Sequence, residues 1–271
     1  MNTNVDKATA LRAIARSIRL KFLRMHFHAK AGHIGTGLSC IDLLTYLYAE
    51  WLSADGRLVL SKGHGASSLY ATLHEFGHIS DAELATYYKD DSLFPAHPAA
   101  RTHDAIVAAT GSLGHGLPIA AGIAFAEQTF NGATRKTVAL LSDGECNEGA
   151  TWEAALFAGH HKLEKLTVVV DANGLQGFGR TVDVLDLEPF ADKWRAFGFD
   201  VAETNGHDFN AIATAFAHPR RGKPLCVLAR TQKGRGVRLM EDKLEWHYLP
   251  MTEEQFMQAV ADIERGTELD L

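Results

Sequence analysis

The chain has 271 residues, of which 46% are hydrophobic and 22% are charged, a composition typical of a soluble globular domain with a substantial core. Its 33 acidic and 27 basic side chains give a net charge of -6, which argues against electrostatic binding to nucleic acid or to an anionic membrane. The three cysteines form no CxxC pair and no export or membrane segment is visible, so we expect a cytoplasmic protein without disulfides or a zinc site.

Apolar residues recur at helical spacing in several segments and form short, mostly continuous runs in four others. The segments with helical spacing are 6–29, 40–52, 66–73, 81–88, 119–127, 148–163, 190–197, 209–216 and a last helix after Thr252. The short runs, which we interpret as strands, are 57–60, 137–141, 166–170 and 225–229, and we expect a fifth strand at 199–203. Strands that alternate with helices predict an α/β fold, a doubly wound parallel sheet with helices on both faces. We expect residues 1–271 to form a single domain, because no repeat or linker interrupts this pattern.

Two local features of the helices can also be predicted. The stretch 30–37 is rich in glycine and is expected to be a loop, with Ser39 as the N-cap of the helix that follows. Within the helix predicted at 148–163, the side chains of Trp152, Leu156 and Leu163 are expected to lie on one side.

Two polar turns lie thirty residues apart in the segment 140–179. Asp143 follows one predicted strand, Asn173 follows the next, and a helix joins them. A crossover helix between consecutive buried strands implies parallel pairing, so both turns should lie at the carboxyl edge of the sheet, where α/β proteins bind ligands. Carboxylate, amide and backbone carbonyl oxygens suit magnesium or calcium that also holds a phosphate.

The same segment resembles the thiamine diphosphate motif of the transketolase family, in which a GDG-type turn is followed about thirty residues later by an asparagine. The resemblance implies that Asp143, Asn173 and the carbonyl oxygen of Leu175 hold the Mg²⁺ or Ca²⁺ that carries the diphosphate of the cofactor. Ser142 stands where the family usually has glycine, and a small residue there is compatible with metal binding.

Further residues are expected to contact the diphosphate. Gly144 and Glu145 belong to the same turn and are candidates for cofactor binding. We expect Glu145 to mark a helix start and not to be catalytic, because a second carboxylate beside a diphosphate adds like-charge repulsion. The stretch 110–117 resembles the family's GPLGQG loop, with His115 in place of glutamine, which implies that Gly114 and His115 face the diphosphate.

Four histidines lie in loop motifs: His33 in GHIGTG, His64 in SKGHG, His97 in FPAHP and His247 in EWHY. All four motifs resemble transketolase loops whose histidines line the channel above the thiazolium ring, bind substrate hydroxyls and move protons. The resemblance implies catalytic roles for these four residues and a cofactor contact for His64. Imidazole suits that work, since it donates or accepts a proton near neutral pH. The stretch FPAHPAA lacks the acidic residue that often follows HP in the family.

The resemblance covers the diphosphate-binding first part of a full transketolase, and the pyrimidine-domain glutamate that activates the cofactor belongs to a later part. It therefore implies the N-terminal subunit of a split transketolase, which becomes active only when a C-terminal subunit completes it, in an α2β2 assembly. Such an enzyme transfers a two-carbon ketol unit from a ketose, usually phosphorylated, to an aldose.

Three alternatives remain. The same cofactor chemistry could use an unusual sugar, or a lipoyl or carrier-protein acceptor. A non-catalytic paralogue is disfavoured by the intact Asp143, Asn173 and histidine loops. A nicotinamide-binding domain is poorly supported, because no GxGxxG follows the first strand with an acidic residue about twenty positions later.

Overall fold

A computed structural model describes residues 3–52, 54–132 and 135–266 of the chain. The strands are β1 (Arg57–Leu60), β2 (Thr137–Ser142), β3 (Leu166–Ala172), β4 (Asp200–Asn205) and β5 (Leu225–Arg230). They form one sheet in the order β1-β2-β3-β5-β4, and every neighbouring pair is parallel. The predicted doubly wound α/β architecture is therefore confirmed.

Ten α-helices surround this sheet within the described residues. They are α1 (Thr3–Ala29), α2 (Ile34–Tyr46), α3 (Ala66–Glu75), α4 (Asp81–Leu84), α5 (Gly116–Phe130), α6 (Gly149–His160), α7 (Thr181–Val184), α8 (Phe190–Ala196), α9 (Phe209–Phe216) and α10 (Glu253–Arg265). A wider π-helical turn, Leu47–Trp51, continues α2, and short 3₁₀ turns occupy Gly63–Gly65, Gly144–Asn147 and Leu244–His247. No helix of the described residues is long and apolar enough to cross a membrane.

Alternate side chains of each strand enter two separate hydrophobic cores. In β2, Val138 and Leu140 pack in the core that contains α1, α2, α3, α9 and α10, whereas Ala139 and Leu141 pack in the core that contains α5, α6 and α8. A strand points successive side chains to opposite faces, so a sheet covered on both faces needs apolar residues at every position. This explains why β2, β3 and β5 are mostly apolar runs, whereas β4, at the edge of the sheet, is partly exposed and carries polar residues.

The predicted loop at 30–37 is wrong in its second half, because α2 already begins at Ile34. The glycines serve close helix packing. A Cβ on Gly37 would lie 2.3 Å from the ring of Phe22 in α1, and a Cβ on Gly35 would lie 3.0 Å from Cγ of Lys233. Ser39 is inside the helix and not its N-cap; its hydroxyl lies 2.5 Å from a carboxylate oxygen of Asp171.

Two other helix predictions are corrected. The helix predicted to reach Tyr88 ends at Leu84, and turns follow it. In α6, Leu156 is 59% exposed, while Ala154, Ala155 and Ala158 are buried. The buried face of α6 consists of small residues that allow close packing, so Leu156 does not lie on it. The helix predicted to reach Leu163 ends at His160, and Leu163 is buried beyond its end.

Candidate active site

The turns that follow β2 and β3 meet at the carboxyl edge of the sheet. Ser142 pairs with Asp171 in the parallel register, which leaves Asp143 and the turn at Asn173 side by side. Oδ2 of Asp143 accepts a hydrogen bond from the backbone N–H of Gly174 at 2.7 Å and another from the Thr181 hydroxyl at 3.1 Å. The predicted juxtaposition of the two turns is therefore present in the fold.

Asp143 is a buried carboxylate whose hydrogen-bond donors are uncharged. Its Oδ1 accepts from the N–H of Gly144 at 2.8 Å, and in the described part of the chain no lysine or arginine donates to it. Burial, with a contribution from the negative charge of Asp171, raises the pKa of Asp143. A bound cation would remove this penalty, because it favours the ionised carboxylate.

The other two proposed metal ligands lie in the turn after β3. Oδ1 of Asn173 accepts from the N–H of Leu175 at 3.1 Å, and the carbonyl oxygen of Leu175 accepts from the ammonium of Lys233 at 3.0 Å. One carboxylate, one amide and one carbonyl make an all-oxygen set that suits Mg²⁺ or Ca²⁺. In the regions that the structure describes, no three His, Cys, Asp or Glu side chains form a metal-binding cluster.

The four histidines singled out in the sequence come together, and Lys233 links them to the turn after β3 by contacting both the Leu175 carbonyl oxygen and His247. The ring centroid of His33 lies 5.6 Å from that of His64, 5.9 Å from that of His97 and 5.2 Å from that of His247. The rings of His64 and His247 are 5.7 Å apart. His33 is thus the centre of the cluster, and its backbone N–H also donates to the carbonyl oxygen of His247 at 3.1 Å.

All four imidazoles are kept neutral by their surroundings. Burial is the main cause in each case: it lowers the pKa of His33, His64 and His97, and with the charge of Lys233 it lowers the pKa of His247 to about 3. A neutral imidazole has one donor and one acceptor nitrogen. The cluster can therefore donate a hydrogen bond to a hydroxyl group or accept one from it, and it can pass a proton between such groups.

Glu145 lies in the first turn of the short 3₁₀ helix Gly144–Asn147, and its side chain also links three loops. Its side chain is fully buried, and one oxygen accepts from the Ser61 hydroxyl at 2.5 Å and from the N–H of Gly114 at 2.8 Å. Its other oxygen accepts from the N–H of Ser142 at 3.3 Å. Glu145 thus joins the loops after β1 and β2 to the loop before α5.

The residues predicted to face the diphosphate lie around this junction. Gly144 begins the 3₁₀ turn that contains Glu145, and His115 is exposed at the N-cap of α5. Gly114 has a φ of 82°, a left-handed conformation that favours glycine. Because its N–H is bound to Glu145, Gly114 shapes the loop. The N–H groups at the start of α5 form a helix N-terminus, the kind of helix end that favours anions.

Two buried lysines in the site were missed by the sequence prediction. Lys62 is fully buried, and its ammonium contacts the carboxylate of Asp171 and the carbonyl oxygen of Thr36. Lys233 is 1% exposed, and burial together with the charge of Lys62 lowers its pKa to about 8. Both lysines follow the end of a predicted strand within a glycine-containing turn, SKG and KGRG, and this position was the available signal.

A family model described as "Transketolase, thiamine diphosphate binding domain" matches residues 11–264. The chain is 40% identical over 245 residues to one subunit of the apulose-4-phosphate transketolase of Actinobacillus succinogenes, covering 86% of this chain and 88% of that relative. It is 38% identical over 245 residues to the 6-deoxy-6-sulfo-D-fructose transketolase subunit SqwG of Clostridium sp., covering 86% of this chain and 89% of that relative.

Solved structures give the same relationship. Transketolase from Campylobacter jejuni superposes with a TM-score of 0.88 at 30% identity, over 94% of this chain but 42% of that enzyme. Transketolase from Leishmania mexicana gives a TM-score of 0.87 at 29% identity, over 94% of this chain and 41% of that enzyme. The chain thus spans less than half the length of these enzymes but most of the length of the two relatives that are single subunits. The chain belongs to the transketolase family and carries its thiamine diphosphate-binding domain.

Proposed function

We propose that this chain is the N-terminal subunit of a split, thiamine diphosphate-dependent transketolase, which transfers a two-carbon ketol unit from a ketose to an aldose. The observation that carries the proposal is the convergence of four histidines that Lys233 links to the paired turns of Asp143 and Asn173. Thiamine diphosphate, when bound, supplies a nucleophilic carbon and an electron sink for breaking a carbon–carbon bond beside a ketone.

Asp143, Asn173 and the carbonyl oxygen of Leu175 would hold a divalent metal, Mg²⁺ or Ca²⁺, that carries the diphosphate. The support is the buried Asp143 carboxylate, which lacks a charged donor among the described residues, together with the hard-oxygen character of all three ligands. Lys233, which donates to the Leu175 carbonyl, adds positive charge where the diphosphate would lie. Gly144 and the N-terminal end of α5, with Gly114 and His115, would approach its oxygens.

His33, His64, His97 and His247 would bind the hydroxyl groups of donor and acceptor sugars and move protons between them, with His64 also touching the cofactor. Their neutral state supports this role, because a charged imidazole has no acceptor nitrogen. The work of these histidines is to orient the sugar and to hold or pass a proton during cleavage of the ketol bond.

A partner chain would complete each site. The matched family model is the cofactor-binding domain alone, and the relatives of similar length are named as single subunits, which implies a second subunit in those enzymes. The carboxylate that activates the cofactor would come from this C-terminal subunit, in an α2β2 assembly. The three cysteines are free and buried, which suits a reducing cytoplasm.

A specific observation favours an unusual sugar as the substrate. The relatives of similar length are named for apulose 4-phosphate and for 6-deoxy-6-sulfo-D-fructose, a sulfonated sugar. This chain also lacks the acidic residue that often follows the histidine at the position of His97 in the family, so its sugar channel differs on that side. A lipoyl or carrier-protein acceptor stays an alternative outcome of the substrate test.

The decisive experiment uses the chain co-purified with its C-terminal subunit. Thiamine diphosphate binding is titrated at graded Mg²⁺ concentrations, and ketol transfer is measured with phosphorylated, branched and sulfonated ketoses. Asn173→Ala is expected to weaken cofactor binding and to change its Mg²⁺ dependence. Asn147→Ala removes a nearby amide that contacts Gln176 and not the proposed metal, so it is the matched control. An unchanged Mg²⁺ dependence in Asn173→Ala would show that the metal assignment is wrong.

A further inference from the structure

The segment 231–236, which follows β5, carries Lys233 into the candidate site, and contacts outside that site hold it in place. The N–H of Gly234 donates to the carbonyl oxygen of Gly35 at 2.9 Å, and the N–H of Asp242 donates to the carbonyl oxygen of Lys233 at 2.9 Å. The N–H of Gln232, beside Lys233, donates instead to a side chain, Nε2 of His207, at 2.8 Å. No motif of the proposed reaction includes His207.

The hydrogen bonds of His207 determine which of its nitrogens carries the proton. A backbone N–H can only donate, so Nε2 of His207 is the acceptor for Gln232 and the proton is on Nδ1. Nδ1 lies 2.7 Å from Oδ2 of Asp42 and donates to it. His207 is therefore a neutral imidazole that links a backbone N–H on one side to a carboxylate on the other.

Asp42 is itself fixed by a buried ion pair. Both its oxygens accept hydrogen bonds from the guanidinium of Arg19, at 2.8 and 2.7 Å, with the side chain of Arg19 10% exposed and that of Asp42 7% exposed. Burial alone would raise the pKa of Asp42, but Arg19 and the hydrogen bond from His207 hold it far below its usual range. Bidentate pairs of this kind are geometrically rigid. The carboxylate that orients His207 is thus anchored to α1 and α2.

The turn that carries His207 also packs closely against the same segment, 231–236. A Cβ on Gly206 would lie 2.4 Å from Cγ2 of Thr231 and 3.3 Å from the carbonyl oxygen of Arg230. The N–H of His207 is held by Oδ1 of Asn205 at 2.9 Å, which fixes the turn from within. The short sequence Asn205-Gly206-His207 is therefore shaped to meet the segment after β5.

We propose that His207 is a positioning residue for Lys233. Its neutral imidazole, oriented by the Asp42–Arg19 pair, holds the Gln232 N–H and so places the Lys233 ammonium between the carbonyl oxygen of Leu175 and Nδ1 of His247. This inference rests on the proposed function, in which Lys233 lies beside the cofactor's diphosphate. His207 touches neither substrate nor cofactor and acts only through the segment it holds.

The test compares three variants of the full chain. His207→Ala removes both hydrogen bonds, whereas His207→Gln keeps one donor and one acceptor on the side chain. Ile212→Ala, at a fully buried position of α9, is the control for lost stability. It creates a cavity near His207 in the sequence but removes no hydrogen bond to segment 231–236.

Amide hydrogen exchange is measured first, on the chain without cofactor. In His207→Ala, exchange in a peptide spanning residues 232–236 is expected to rise at least tenfold, while His207→Gln stays within a few-fold of wild type. Thiamine diphosphate affinity of the two-subunit complex is measured second, and His207→Ala should weaken it about tenfold at unchanged Mg²⁺ dependence. Ile212→Ala should leave both quantities near wild type despite a lowered melting temperature.

The proposal is overturned if His207→Ala and Ile212→Ala show the same exchange and the same cofactor affinity, or if His207→Gln behaves like His207→Ala. Failure of the proposed function looks different: the wild-type complex would then not bind thiamine diphosphate at all. The exchange comparison would still decide whether His207 holds the segment of Lys233.

Discussion

The ammonium of Lys233 lies 3.0 Å from Nδ1 of His247 and donates a hydrogen bond to it. Because an ammonium has no acceptor, Nδ1 of His247 must be the acceptor and the ring proton must be on Nε2. Nε2 lies on the side of the ring near Gly177, where a Cβ would be 3.3 Å away. Lys233 thus makes His247 a hydrogen-bond donor through Nε2, the nitrogen that the proposed function assigns to a substrate oxygen.

Lys233→Met should therefore change the tautomer of His247. In the wild-type chain at neutral pH, imidazole ¹⁵N chemical shifts should report a neutral ring with the proton on Nε2, since the pKa of His247 is lowered to about 3. In the variant, the Nδ1–H form should become populated, because the donor that excluded it is gone. The variant His247→Gln lacks this ring, so the signal missing from its spectrum is the one of His247. A wild-type His247 with its proton on Nδ1 would contradict the assignment.

Two glycines of the same helix, α5, should respond in opposite ways to replacement by alanine. A Cβ on Gly116 would lie 2.5 Å from the Cα of Ser61, a backbone atom that cannot move aside, so Gly116→Ala should destabilise the chain by about 3 kcal/mol. Gly122 is exposed with nothing within 4 Å of its Cβ position, so Gly122→Ala should stabilise by about 0.5–1 kcal/mol.

Urea unfolding of the two variants measures this difference. Equal and small effects would mean that α5 does not pack against the turn at Ser61 as closely as the structure places it. Because Gly116 is next to the proposed diphosphate loop, Gly116→Ala should also weaken cofactor binding, whereas Gly122→Ala should not.

His26 should make the chain sensitive to mild acid. It is buried between the Ser67 hydroxyl and the Ala31 carbonyl oxygen, and burial lowers its pKa from 6.5 to about 4. The folded state then binds fewer protons than the unfolded state between these values. The contribution of His26 to the free energy of unfolding is therefore complete above pH 6.5 and declines as the pH falls to 4, by about 3 kcal/mol in total.

The measurement is the free energy of unfolding of wild type and His26→Gln between pH 7.5 and 4. Wild type should lose stability more steeply than the variant over that window, so the difference between them should shrink as the solution becomes more acidic. His28→Gln, an exposed position on the same helix, gives the baseline for a substitution without burial. A difference that stays constant with pH would contradict the burial effect.

Phe178 should contribute to binding of the partner chain. It is 86% exposed at the tip of the loop between the bridged residues Leu175 and Arg180, next to the proposed metal site. An exposed aromatic side chain at the edge of a site that we propose a second chain completes is a strong candidate for an interface anchor. Phe178→Ser should weaken association of the two subunits at least tenfold without lowering the stability of the single chain.

Association is measured by titrating one labelled subunit with the other. Phe130→Ser is the matched control. Phe130 is also exposed, at 78%, but it is the last residue of α5, at the opposite end of that helix from the proposed diphosphate loop. If both variants associate as wild type does, the loop of Phe178 does not lie in the interface between the subunits.

Short-range patterns in the sequence were sufficient for the sheet and for the paired turns. The five predicted strands became five parallel strands within one or two residues of their predicted ends. The pattern is clearest in β2, β3 and β5, because strands buried on both faces are mostly apolar. The meeting of Asp143 with the turn at Asn173 followed from parallel pairing, since the ends of consecutive parallel strands share one edge.

Other features depended on packing between distant segments. The glycines at 35 and 37 were interpreted as a loop, but their function is to let α2 approach Lys233 and Phe22. Their spacing carries no information about what lies against them. Leu156 fits a helical period equally well on the exposed or the buried side, and only the small residues beside it decided which face of α6 packs inward.

Local patterns were therefore enough to predict the fold class, the edge of the sheet at which the paired turns meet and the residue types proposed for metal binding, diphosphate binding and proton transfer. The tertiary structure decided how those residues are charged and held. Asp42 and His207 are 165 residues apart, and Lys233 is 58 residues from the carbonyl oxygen it binds. No local period connects such partners; only the packing of α1, α2 and the strand ends brings them within hydrogen-bond distance and removes the water that would otherwise separate them.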